Sequence, residues 1–291
     1  MSIKMDPAYV PPGKISAAGI PRDVLSREEI CELVPFLKDK PRLFNFLYKL
    51  LAMDKVNWIH GRNSDEPGVP FTQGMLRDMK ATVEVRNREV LDQFPEGGFI
   101  TVSNHPFGAM DGVLLINTVG QKRPDFKVMV NMFLMHIHAA APNFIGVDAL
   151  ASNDPAKKAA SMRGIAAAIK HVKDGHVLGF FPAGAVSKLT WKLRIEDRTW
   201  QPNVMRIIQR LKVPVVPIYF HGHNSWWFTF LGMIDWRLRT LRLPAEVFHR
   251  SHPKFRVSVG EPILPATMEA YETPEALGEF LKQQTYALKK W

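Results

Sequence analysis

Residues 143–182 read NFIGVDALASNDPAKKAASMRGIAAAIKHVKDGHVLGFFP: a short β-like run, a long helical segment and a second β-like run. Asp154 is placed to cap the helix, Pro155 suits its first position, and Gly175 lies just past its end. A strand–helix–strand unit of this kind belongs to a mostly parallel sheet with helices on its faces. The alternation continues on both sides. ATVEVR (81–86), GFITVSN (98–104) and DFKVMVN (125–131) come before it, and VPVVPIYF (213–220) and FRVSVGEPI (255–263) follow. The pattern predicts an α/β domain over residues 81–291, with a mostly parallel sheet covered by helices. Its last helix opens at Thr273 and Pro274 and closes near Lys289 and Lys290, cations that suit a helix C-terminus.

Upstream, residues 1–80 predict an N-terminal helical extension, packed on the core or on a membrane. The first twenty or so residues are rich in Pro and Gly and read as an extended arm. Ser26 followed by Glu29 is a capping-box pattern opening a helix that Pro35 or Pro41 should bend or end. LFNFLYKLLAM (43–53) is apolar nearly all round, which predicts a buried or partly buried helix, with a lipid-touching helix as the alternative.

The 291 residues, 46% hydrophobic and 23% charged, are enough to enclose a core and a cleft. One cysteine, Cys31, leaves no disulfide framework and reads as a small packing residue in a reducing compartment. A net charge of +10 attracts acidic partners: nucleic acid, anionic lipid or an acidic carrier protein. No nucleic-acid motif accompanies the charge, so nucleic acid ranks last. The N-terminus lacks the unbroken apolar run of a cleaved leader. No window offers the roughly 20 apolar residues of a spanning helix, so a membrane would be met at its surface.

The chemistry concentrates in ITVSNHPFGAMDG (100–112), where a β-like run ends in Asn104 and His105 and Asp111 follows. Open α/β sheets place their sites at strand ends. A histidine there, oriented by a carboxylate, can take the proton of a hydroxyl nucleophile. The Asp would fix the ring's tautomer and steady the imidazolium. Spacing alone favours a plainer reading, in which His105 bonds to backbone and Asp111 caps the next helix.

The wider pattern reverses that. Asn104-His105 with Asp111, FIGVD (144–148), FFPAGAVSK (180–188) and VPVVPIYFHGHNS (213–225) stand in the order of the motifs of the glycerolipid acyltransferases, and residues 81 to about 265 resemble that superfamily. The resemblance implies His105 and Asp111 as the catalytic pair and an acyl-CoA or acyl-carrier protein as co-substrate, with no bound cofactor. It also implies a lyso-lipid acceptor near Asn104, Phe107, Gly108, Phe181, Pro182, Gly184, Ser187, Lys188, His221 and His223. Three departures qualify the match. Five residues, Pro106 to Met110, separate His from Asp where the family has four, and Gly108 would let the chain bulge to compensate. The third block carries Ala183, Gly184, Ala185 and Val186 where the family has Glu-Gly-Thr-Arg after its Phe-Pro, and Asp148 precedes Ala149 where Arg is common. Losing Arg removes bidentate phosphate recognition. The pattern is similar to the hemolysin-like branch that O-acylates lyso-ornithine or lyso-glycine lipids, with lysophosphatidate as the alternative acceptor. A non-catalytic lipid-binding protein of the same fold is a further alternative. Lys188 would meet an acceptor carboxylate as a point charge, or is simply a solvated lysine.

SWWFTFLGMIDW (225–236), then RLRTLRLP, places Trp226, Trp227, Phe228, Phe230 and Trp236 beside Arg237, Arg239 and Arg242. Rings with cations suit an anionic membrane surface, here the cytoplasmic face of a bacterial inner membrane. The alternative is a core patch beside a basic helix. His136 with His138 and His221 with His223 lack a third ligand at suitable spacing, so no metal site is expected.

Overall fold

The computed structural model describes residues 5, 9, 12–148, 154–191, 193–249 and 252–290. In chain order the elements are α1 (Arg27–Leu33), α2 (Pro41–Leu50), α3 (Met53–Asn63), α4 (Val69–Asp78), β1 (Thr82–Arg86), α5 (Glu89–Asp92), β2 (Ile100–Ser103) and α6 (Ala109–Gly120). Then come β3 (Lys127–Asn131), β4 (Phe144–Val147), α7 (Pro155–Lys173), β5 (Leu178–Phe180), β6 (Lys188–Leu189), β7 (Ile195–Glu196), α8 (Pro202–Leu211) and β8 (Val215–His221). The chain closes with α9 (Trp226–Ile234), α10 (Trp236–Val247), β9 (Lys254–Val259), α11 (Pro265–Met268) and α12 (Pro274–Ala287).

The chain divides into two units. One holds Val83–Met135, Asn143–His223 and Lys254–Trp291; the other holds Met1–Thr82, His136–Pro142 and Asn224–Pro253. His136–Pro142 and Asn224–Pro253 thus group with the N-terminal helices.

The first unit carries a seven-stranded sheet in the order β1-β9-β8-β2-β5-β3-β4. β2 pairs in parallel with β5 and β8, and β3 in parallel with β5 and β4, while β9 runs antiparallel to β8. This is the predicted mostly parallel sheet. All four residues of β2 are buried, as expected of a central strand covered on both faces. On one face Ile100, Val102, Leu178 and Phe180 pack with Val172 of α7, Met205 and Ile208 of α8, and Leu277 and Leu281 of α12. On the other, Gly179 lies so close to Leu115 of α6 and to Phe126 that a methyl group would overlap them. The predicted helix at 155–173 forms as read, with the Asp154 carboxylate accepting from Ala156 N at 2.9 Å. Ala149, read against the family's Arg, lies outside the described residues.

In the second unit, Ser26 and Glu29 form the predicted capping box. The helix expected over 43–53 instead runs Pro41–Leu50 and stops at Ala52, whose φ is +55°. The helix is partly buried. Phe44 is covered, whereas Leu43, Phe46 and Leu50 are exposed. The N-terminal segment is tied down by polar contacts: Arg22 reaches Asp65 at 2.9 Å, and Asn57 accepts from Val24 N at 3.0 Å. His60, buried, donates from Nδ1 to Arg22 O (2.8 Å) and accepts at Nε2 from Ala139 N (3.1 Å). Those partners require a neutral ring, and burial lowers its pKa to about 4.

Candidate active site

Asn104 takes the chain out of the sheet. Its amide donates to Phe220 O (2.9 Å) and accepts from Phe220 N (2.7 Å), so a side chain supplies the rung that joins the end of β2 to β8. Asn104 is buried and engaged on backbone, where it fixes the take-off point of His105.

His105 is held at both ends of its own peptide. Its N–H donates to Asp197 Oδ1 (3.1 Å) and its carbonyl accepts from Ser187 N (2.8 Å). The Ser187 hydroxyl closes the loop by donating to the same Asp197 oxygen at 2.6 Å. Asp197 is buried, with Trp200 Nε1 3.2 Å from its other oxygen, and its own N–H donates to the Tyr286 hydroxyl at 2.8 Å. Sequence reading missed Asp197, which stands 92 positions beyond His105 in a stretch without periodicity or motif. The same surroundings affect the nearby phenols. Burial, reinforced by Asp197 and Glu196, pushes Tyr219 up to about 12, and burial and Asp197 also push Tyr286 up.

The imidazole is fixed as firmly. Nδ1 lies 2.9 Å from Asp111 Oδ2, in ion-pair range although not aligned as a straight hydrogen bond, and Phe181 stacks on the ring with centroids 4.3 Å apart. Between His105 and Asp111 the chain turns at Gly108, whose φ of +77° favours glycine. With that turn, the N–H groups of Phe107 (2.8 Å) and Gly108 (2.9 Å) both donate to Asp111 Oδ2. Asp111 thus both caps α6 and faces the ring, so the two readings of this residue coexist. The carboxylate is fully buried, and burial pushes its pKa up while His105 and the two backbone donors pull it down. With Nδ1 buried against Asp111 and 18% of the side chain exposed, Nε2 is the nitrogen left to receive a proton.

The remaining expected residues divide. Phe107 packs edge-on against Phe255 (5.6 Å) and closely over Gly222, and Pro182 is buried. At Gly184 a Cβ would collide with the Gln201 side chain. Lys188 is exposed on β6 opposite Glu196. His221 turns to the face opposite Phe220, with Nε2 2.8 Å from Ser258 Oγ and its ring edge-on to Tyr219. Burial, then Arg256, Arg86 and Lys289, lowers its pKa. His223 follows in the loop after β8, partly buried.

In the other unit, α9 and α10 pack on each other, and Glu246 joins their ends by accepting from Ser225 N and Oγ, each at 2.9 Å. Trp226 (65% exposed), Trp227, Phe230 and Trp236 present their rings to solvent, together with Met233, Ile234, Leu238 and Leu241. Two members of the expected patch are not on the surface. Phe228 and Arg239 are buried, the guanidinium 5.5 Å over the ring, because they face each other between the helices. Arg237 lies over Trp236, and Arg242 lies 3.5 Å from Glu246. No helix among the described residues is long and apolar enough to cross a membrane, and no cluster of three metal-ligating side chains occurs among them.

Two curated relatives align over most of the chain. The lyso-glycine lipid O-acyltransferase of Bacteroides thetaiotaomicron is 30% identical over 84% of this chain and 89% of its own. The protein of the same name from Phocaeicola vulgatus is 28% identical over 84% and 86%. Among solved structures, the 1-acyl-sn-glycerophosphate (LPA) acyltransferase PlsC from Thermotoga maritima superposes with a TM-score of 0.49 and 16% identity, over 92% of this chain and 90% of that one. The sequence model of the acyltransferase family matches residues 34–291, a span that includes the His105–Asp111 turn, so the chain belongs to the acyltransferase family.

Proposed function

We propose that this acyltransferase moves a fatty acyl group from a thioester donor to the hydroxyl of a lyso-lipid, with His105 as general base. The observation that carries this reading is the 2.9 Å approach of His105 Nδ1 to the buried Asp111, on a backbone already fixed by Asp197 and Ser187. Nε2 takes the proton of the acceptor hydroxyl as its oxygen attacks the thioester carbonyl. The tetrahedral intermediate collapses, the C–S bond breaks, and the departing thiolate takes the proton from the imidazolium. Ester and thiol leave, and the ring is neutral again. Asp111 keeps Nδ1 protonated throughout, so Nε2 is the nitrogen that takes up and returns the proton.

The acceptor we infer is a lyso-aminolipid of the glycine type. The third block lacks the Glu and Arg that the phosphate-binding version of the motif carries, and both curated relatives are named for a lyso-glycine lipid. The exposed rings of α9 and α10 support a peripheral position on a membrane surface, where such an acceptor resides, at the cytoplasmic face. The test is acylation of lyso-glycine lipid and lysophosphatidate in parallel, with one donor and mass-spectrometric readout. Lyso-glycine lipid should be the better acceptor by about tenfold or more, a discrimination of about 1.4 kcal/mol. Preference for lysophosphatidate would overturn the assignment.

A further inference from the structure

Helix α7 departs from the usual surface helix in two ways. Its nineteen residues contain Lys157, Lys158, Arg163, Lys170 and Lys173 and no Asp or Glu. Solvent-facing helices normally mix both signs. Among its described residues only Ala168 and Val172 are buried, and Met162 (68% exposed) and Ile165 project outward among exposed alanines. Lys170 is paired with Asp174, but among the described residues Lys157, Lys158 and Arg163 have no carboxylate partner. The positive surface continues into a shallow groove between α7 and the edge strand β4, where Arg163 and Lys127 line the wall beside His171, Met132 and Gly146.

Position adds to composition. β2, β5, β3 and β4 are parallel neighbours in that order, so the end of β4 lies three strand spacings, about 15 Å, from the end of β2 that carries His105. α7 starts at that end of the sheet. Gly164 packs against Gly146, one residue before β4 finishes, so Lys157, Lys158 and Met162 lie toward the same rim as the catalytic turn. A membrane is the poorer match for this face. α7 has no Phe, Tyr or Trp, and two exposed apolar side chains among alanines offer little to insert into lipid. A protein with an acidic face matches both features: charge guides the encounter, and an adaptable Met fills the contact.

We propose that the exposed face of α7, with Lys157, Lys158 and Arg163 around Met162, docks an acidic acyl carrier protein that delivers the thioester to His105. This rests on the acyl-transfer reading of His105, so the first test measures binding without chemistry. The probe is a bacterial holo-acyl carrier protein labelled with a fluorophore on its thiol, followed by anisotropy against the full chain. Wild type and His105→Ala should bind equally, and binding should weaken as salt rises. The Lys157→Glu/Lys158→Glu/Arg163→Glu variant should bind about tenfold or more weakly, with its thermal melt and its sedimentation with anionic liposomes unchanged. Lys157→Ala/Lys158→Ala and Met162→Ser, which disturb less, should each bind about threefold more weakly.

In turnover the triple variant should raise KM for acyl-carrier protein while leaving transfer from acyl-CoA at the wild-type rate. If neither donor yields product, yet the carrier binds wild type and not the triple variant, the acyl-transfer reading fails and the docking surface stands. The proposal is overturned if wild type does not bind the carrier, or if the milder variants and the triple variant bind as wild type does. It is also overturned if acyl-CoA turnover falls in parallel, or if the charge reversal abolishes liposome binding instead.

Discussion

The His105 turn and the α9–α10 hairpin depart from ordinary surface chemistry in opposite directions. At the turn, polar groups are drawn inside: Asp111, Asp197, Ser187 and Asn104 are buried and bonded along the segment that carries His105. On the hairpin, large apolar side chains face outward while Arg239 lies inside. Each arrangement costs stability on its own, since buried carboxylates lose hydration and exposed rings forgo burial. The proposed general base calls for fixed atoms around it, whereas the proposed membrane contact calls for apolar area that packing leaves uncovered.

The comparison breaks most visibly at His105. His105→Ala should lower acyl transfer by about 10³–10⁴-fold with an unchanged melting temperature, and wild-type turnover by this variant would rule out the general-base mechanism. Asp111→Asn keeps the shape but turns an N–H toward Nδ1 or toward the two backbone donors. It should cost about 10²–10³-fold in kcat, and full activity would reduce Asp111 to a helix cap.

A third prediction concerns His60, which is buried between Arg22 O and Ala139 N. Its pKa is about 4 in the fold against 6.5 for the free group. A depressed value contributes stability that is complete above 6.5 and is lost as pH falls through 4. Denaturant unfolding should therefore lose up to about 3 kcal/mol between pH 7 and pH 4 through this group. His60→Gln should flatten that part of the profile, and an equal slope in wild type and variant would show that the neutral ring is not the cause. The smallest effect is expected on the hairpin. Trp226→Ser/Trp227→Ser should weaken binding to anionic vesicles by about tenfold and leave transfer to a detergent-dispersed acceptor intact. Unchanged sedimentation with vesicles would separate the exposed rings from membrane contact.

Much of this architecture could be read along the chain because it is locally encoded. Asp154, Pro155 and Gly175 mark the ends of α7, and β-like runs alternating with helices fix a mostly parallel sheet. The His–Asp pair was also legible, and Gly108 indicated how an extra residue could be accommodated. What escaped was non-local or a question of phase. Asp197 approaches His105 from another part of the fold, and nothing in Glu-Asp-Arg-Thr-Trp announces it. In WWFTFLGMI nearly every position is apolar, so no 3.6-residue stripe tells that Phe228 is the ring that faces Arg239. The break at Ala52 escaped because a left-handed alanine carries no sequence mark.

Asn104 has a practical consequence. Because an amide side chain forms the sheet's last rung, the His105–Asp111 segment cannot be transplanted as a seven-residue cassette. A designer moving it to another scaffold must also supply a facing backbone with a carbonyl and an N–H where Phe220 offers them, or the imidazole will leave the strand at the wrong angle.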